Sequence, residues 1–186
     1  MGATSAAADA PRGSRLALAL VLGAVVSITL GVYGNVHDPS GALVFTLFFT
    51  STISLKVWLA CVAVFFAVVQ ILSALWLYGK LGGRAPSWLG QVHRLSGRLA
   101  FIASLPVAYH CLWSLGFQDS SARVLIHSLA GCAVYGAFAA KVTIVRSHGL
   151  PPMALPIAGS FMFTMLVLAW YTSAVWFIGE RGMPPF

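Results

Sequence analysis

Residues 57–78 read VWLACVAVFFAVVQILSALWLY, a run of 22 residues without a single charge. A helix rises 1.5 Å per residue and a bilayer core is about 30 Å thick, so roughly 20 apolar residues make one crossing. Outward from this run, four more segments repeat the pattern. Residues 16–33 carry no charge and end at Gly34-Asn35. Residues 99–117 are interrupted only by His110, residues 124–140 contain His127 with Lys141 just beyond, and residues 153–179 are uncharged throughout. The whole chain agrees: of 186 residues, 59% are hydrophobic and 8% charged, with a mean hydropathy of +0.89. A soluble domain carries about 25% charged residues. A cytosolic enzyme, a nucleic-acid-binding domain and a disordered chain are all excluded on that ground.

The predicted fold is therefore all-α: an integral membrane bundle of five transmembrane helices, near 16–34, 55–79, 96–117, 123–146 and 153–179. These make one transmembrane domain, 15–179. Residues 1–14, small and polar, read as a disordered cytoplasmic tail, and residues 180–186 as an outer tail. Segment 41–54, rich in Phe, Thr and Leu, is too short to span alone. Joined to the second span it would reach about 57 Å, so the expectation is a short interfacial or re-entrant helix between spans 1 and 2. The N-terminal run lacks an Ala-x-Ala cleavage site, which favours an uncleaved anchor over a signal peptide.

The formal charge of +7 becomes informative once placed on the spans. With the N-terminus inside, eight Lys/Arg (Arg12, Arg15, Lys80, Arg84, Arg94, Arg98, Lys141, Arg146) and one acid, Asp9, fall inside. Outside fall Lys56, Arg123 and Arg181 against Asp38, Asp119 and Glu180. Such a Lys/Arg bias predicts a cytoplasmic N-terminus and an external C-terminus in a bacterial cytoplasmic membrane. Trp and Tyr cluster near the expected span ends, as interfacial anchors do. Cys61, Cys111 and Cys132 lie in apolar runs without metal-site spacing and read as small buried hydrophobes.

Histidines are the remaining chemistry. Ionisable side chains inside spans are functional by default, and His110 and His127 sit at matched depth on consecutive spans either side of the 116–122 loop. Two imidazoles on facing helices are the donor set of bis-histidine haem b. His93 and His148 form a second level pair, the candidate ligands of a second haem. Phase weakens that pair: at 100° per residue, His93 to His110 turns by about −100° and His127 to His148 by about −60°, so neither helix aims both histidines at one seam. Gly131 shares the face of His127, one turn on, and would leave room for a flat macrocycle; Gly97 stands in the same relation to His93, and Gly136, Ala130, Ala133 and Ala137 lower the surface further. Lys56 and Arg123, at outer span ends, are candidates to pair with haem propionates, with ordinary snorkelling as the competing reading. Arg94 and Arg98 suit lipid headgroups or a ligand head at the inner face. Gln70 is expected to bond between helices, and His37 to serve a turn or cap the outer haem edge.

His93-Arg94-Leu95-Ser96-Gly97-Arg98, Tyr109-His110-Cys111-Leu112-Trp113 and Ile126-His127-Ser128-Leu129-Ala130-Gly131 resemble the helix pair of small membrane b-type cytochromes, the ferric-reductase-like and quinol- or ascorbate-linked group. The likeness covers residues 91–150. The whole chain also resembles a bacterial family of five-span membrane proteins to which no function attaches. The cytochrome resemblance implies haem b and electron transfer in or across the membrane, with a quinol or redox protein as outer-face partner and a homo- or hetero-oligomer as a form it could take. The ligand spacing departs from the two-haem pattern of about 13 or 14 residues. The alternative is a haem-free membrane anchor or assembly subunit of a redox or transport complex. No nucleotide-binding motif, catalytic triad or intramembrane carboxylate is present, so an oxidoreductase subunit fits better than a self-sufficient enzyme.

Overall fold

The computed structural model describes residues 12–39, 41 and 45–186. It contains five helices long and apolar enough to cross a membrane, and no strand among the described residues. They are α1 (Arg12–Val36), α2 (Thr52–Leu77), α3 (Leu89–Leu115), α4 (Ala122–Arg146) and α5 (Ala154–Arg181). Of the expected N-terminal tail, residues 1–11 lie outside the described residues and 12–14 are already helical. Helix α3 starts well before the expected residue 96, because Gln91, His93 and Arg94 belong to its first turns. Ser51 and Ser121 cap α2 and α4, accepting from the backbone N–H of Ser54 at 3.1 Å and Val124 at 3.3 Å, the preferred chemistry for that position.

Segment 41–54 is not the expected interfacial helix. Residues 45–51 run through a turn and bends, Leu47 has φ of 51°, and residues 52–54 are the first turn of α2. The segment's apolar side chains are used differently: Phe49 is buried, and its ring lies 4.9 Å from that of Phe186. Phe186 also meets Phe48 and Trp58, while Thr50 and Trp58 donate to the carbonyls of Pro185 and Pro184. Such contacts reward a folded-back connection more than a free helix in the headgroups. Residues 40 and 42–44 lie outside the described residues.

Helices α3 and α4, joined by a short connection, do not pack along one another as a hairpin. Helix α3 lies against α2, α4 lies between α1 and α5, and α5 reaches α2. Glycine explains the choice. A methyl on Gly23 would come 2.8 Å from the Gly136 carbonyl, and one on Gly136 would overlap Ser27 and the Gly23 carbonyl. Small residues let membrane helices approach closely, so Gly136 serves α1 packing and not cofactor room. Gly97 likewise admits the Gln70 side chain of α2. Between α3 and α4 the bridge is made of side chains: Phe101 stacks on Phe138 at 4.1 Å, and the Tyr135 hydroxyl donates to Ser104 Oγ at 2.9 Å. The five helices thus form a ring, closed between α1 and α3 only near Gly34, whose carbonyl accepts from the Phe117 N–H at 2.6 Å.

Candidate functional site

The end of the ring carrying the α1–α2 and α3–α4 connections, here the Asp119 end, holds two departures from α-helical geometry. His110–Leu115 in α3 and Tyr171–Val175 in α5 are π-helical turns. Such turns widen the hydrogen-bond ladder, free carbonyls from it, and recur at functional sites. Both here supply carbonyls to side chains.

In α5 the beneficiaries are two residues of α4. Arg123 Nη1 donates to the Thr172 carbonyl at 2.7 Å, with its guanidinium 3.8 Å above the Trp176 ring. His127 Nδ1 stands 3.0 Å from the Ala169 carbonyl. A carbonyl only accepts, so this contact puts the ring proton on Nδ1 and leaves Nε2 with its lone pair. Backbone orientation of one nitrogen is how proteins fix the other as a ligand.

In α3 the turn serves His110 otherwise. His110 is fully buried. Its Nδ1 lies 2.8 Å from the Pro106 carbonyl and its Nε2 2.9 Å from the Phe45 carbonyl. The Pro106 carbonyl already accepts the His110 backbone N–H, so the single proton of the neutral ring goes from Nε2 to Phe45, and the imidazole ties the α1–α2 connection to α3. The two histidines expected to face each other across one iron are therefore separated in role: His110 is turned to Phe45 while His127 is turned to α5.

Inside the ring, at the same end, lies a cavity of about 360 Å³, within the usual range for small-molecule sites of about 300–1,000 Å³. His127 and Gly131 line it, with Lys56 from α2 and Arg123 from α4; His110 does not. A methyl at Gly131 would meet nothing within 4 Å, so that glycine does leave open space on the His127 face. Most of the remaining wall is apolar, from Leu30, Val57, Val107, Leu112 and Leu166. No carboxylate lines the cavity, and Lys56 has no hydrogen-bond partner among the described residues.

The other expected site residues are not brought to this cavity. His93 Nδ1 bonds Ser73 Oγ at 2.9 Å. His148 is exposed in the α4–α5 connection, and its carbonyl accepts from Arg15 at 2.8 Å. His93 and His148 are thus not assembled as a pair. His37 stacks between Tyr33, at 5.0 Å, and Trp113, at 4.7 Å, holding the end of α1 to α3. Sequence reasoning passed over Tyr135 and Cys111, which line the cavity. Tyr135 follows His127 and Gly131 at intervals of four, a spacing that puts all three on one helix face.

The family comparison covers nearly the whole chain: residues 16–185 match a family of unknown function, DUF6529. The chain belongs to that family. No curated protein and no solved structure matches. The match says nothing of a cofactor, and none of the comparisons shows a cytochrome family. Among the described residues no group of three or more His, Cys, Asp or Glu is placed to hold a metal ion.

Proposed function

We propose that this protein is a membrane electron-transfer subunit that holds haem b in the cavity at the Asp119 end, with His127 as its one histidine ligand. A single observation carries this reading: His127 presents an unprotonated Nε2 in an apolar cavity that also holds Lys56 and Arg123 without a carboxylate. Cations on an apolar wall favour a ligand with counter-charge. The ligand that fits best therefore brings negative charge to two cations and an electron-pair acceptor to an imidazole. A fatty acid supplies the first and leaves Nε2 idle; a quinol hydroxyl supplies the second and leaves the cations unpaired. Haem b supplies both, through two carboxylates and an iron.

The fit holds for His127, Gly131, Lys56 and Arg123 and fails for His110. His110 gives its Nε2 proton to the Phe45 carbonyl and turns Nδ1 to the Pro106 carbonyl, so neither nitrogen faces the cavity, and freeing Nε2 would detach the α1–α2 connection. The bis-histidine arrangement is therefore not part of this proposal, nor is a second haem at His93 and His148. When bound, haem b would supply one-electron transfer. The chain's own residues would orient the ligating imidazole through Ala169, hold the carboxylates, and exclude water with the aliphatic wall. The Lys/Arg bias supports an outer-half location for this site in a bacterial cytoplasmic membrane, with a quinol or redox protein as the proposed partner on that side.

The experiment is the visible spectrum of the purified chain. Reduced-minus-oxidised bands of a b-type haem support the proposal. A folded, colourless protein, prepared with haem supplied during expression, refutes it and leaves the haem-free anchor, the reading that His110's structural use favours.

A further inference from the structure

The opposite end of the ring is rich in cations. Among the described residues the carboxylates are Asp38, Asp119 and Glu180, all at the Asp119 end. At the Lys80 end, Lys80, Arg84, Arg94, Arg98 and Arg146 are exposed, but Lys141 is half-buried inside the bundle. It lies five residues before the end of α4, about 8 Å along the axis. Its ammonium donates to Gln70 Oε1 at 3.2 Å. The same Gln70 amide donates to the His93 carbonyl, in the space that Gly97 leaves. Two of the three Lys141 protons have no acceptor among the described residues.

His93 completes the cluster. Ser73 Oγ lies 3.0 Å from the Gln70 carbonyl and 2.9 Å from His93 Nδ1. A hydroxyl has one proton to give, and the carbonyl takes it. His93 Nδ1 must then be the donor to Ser73, which leaves Nε2 as an acceptor. An ammonium held by Gln70 without a counter-charge and an imidazole held by Ser73 with Nε2 unprotonated sit near the Lys80 end, in a cluster without a carboxylate among the described residues.

We infer that Lys141, His93 and Gln70 form a second site, independent of the cavity, for a phosphate-bearing head that also carries a hydroxyl. The phosphate takes the free Lys141 protons and the hydroxyl donates to His93 Nε2. An anionic glycerophospholipid of the adjoining leaflet and a soluble phosphate share this chemistry.

The test uses the full chain in detergent, with thermal stabilisation read against added phosphatidylglycerol, phosphatidylcholine of the same acyl chains, or inorganic phosphate. The native chain is expected to respond to phosphatidylglycerol at about fivefold lower concentration than to phosphatidylcholine, the effect of one well-placed cation at a membrane surface. Lys141→Gln, which keeps an N–H toward Gln70 and drops the charge, abolishes that preference; Lys141→Arg restores it, and Arg146→Gln leaves it intact. Should Lys141→Gln not fold, His93→Gln is expected to reduce the preference on its own. A Lys141-dependent response to inorganic phosphate alone assigns the site to a soluble ligand and upholds its chemistry. Equal responses to the two lipids with none to phosphate overturn the inference, as does a preference that survives Lys141→Gln.

Discussion

Replacing His110 and His127 one at a time by alanine separates two roles that the sequence alone assigns to both. His110→Ala removes a fully buried ring. The Phe45 carbonyl, 2.9 Å from Nε2, loses its donor; an acceptor left unpaired costs about 1–3 kcal/mol. The Pro106 carbonyl keeps the His110 backbone N–H, so nothing is orphaned there. The loss is about 2 kcal/mol before any cost of the void. At about 2–4 °C per kcal/mol for a chain of this size, the unfolding midpoint falls by roughly 4–8 °C. His127→Ala is milder. The Ala169 carbonyl still accepts from Ser173 Oγ at 2.7 Å, so no group is orphaned and the loss is about 1 kcal/mol. Thermal unfolding in one detergent, followed by far-UV circular dichroism, measures both on ligand-free protein. A His127→Ala variant less stable than His110→Ala would refute the assignment of His110 as the structural pin.

Other substitutions test neighbouring steps. Gly136→Ala should destabilise by about 1–3 kcal/mol, because the methyl meets the backbone of α1 and no rotamer relieves it. Gly131→Ala, with open space around it, should be neutral or stabilising by up to about 1 kcal/mol; equal effects in a thermal melt would contradict the α1–α4 crossing. Lys56→Met with Arg123→Met should lower ligand content in purified protein while leaving the helix content unchanged. Undiminished retention of the ligand would show that the cavity cations do not hold it. A tag at the C-terminus should be digested by protease added to intact spheroplasts and one at the N-terminus protected, and the reverse pattern would overturn the orientation.

The five crossings were legible because an uncharged run of some 20 residues admits one economical solution in a bilayer. Counting from a loop also put His110 and His127 toward the same end of the bundle, the Asp119 end. Azimuth was not legible. Each residue turns the side chain by 100°, so a partner helix is chosen by close contacts that span counting does not see. Gly23 against Gly136 and Gly97 against Gln70 decide it here, and they separate α3 from α4. The π turns were equally hidden, as nothing in HCLWSL or YTSAV marks them, yet the second provides the Thr172 carbonyl that holds Arg123. Lys56, Arg123, His127 and Gly131 were each named from sequence and do meet at one cavity. His110 was given the wrong neighbour, because its Phe45 contact is made by a segment expected to lie in the headgroups.

The ratio of haem to polypeptide in the purified chain bears most directly on this account. A ratio near one, retained in His110→Ala and lost in His127→Ala, is the predicted result. A ratio near zero in folded wild-type protein, or near two, or a haem lost with His110 and kept without His127, would contradict it.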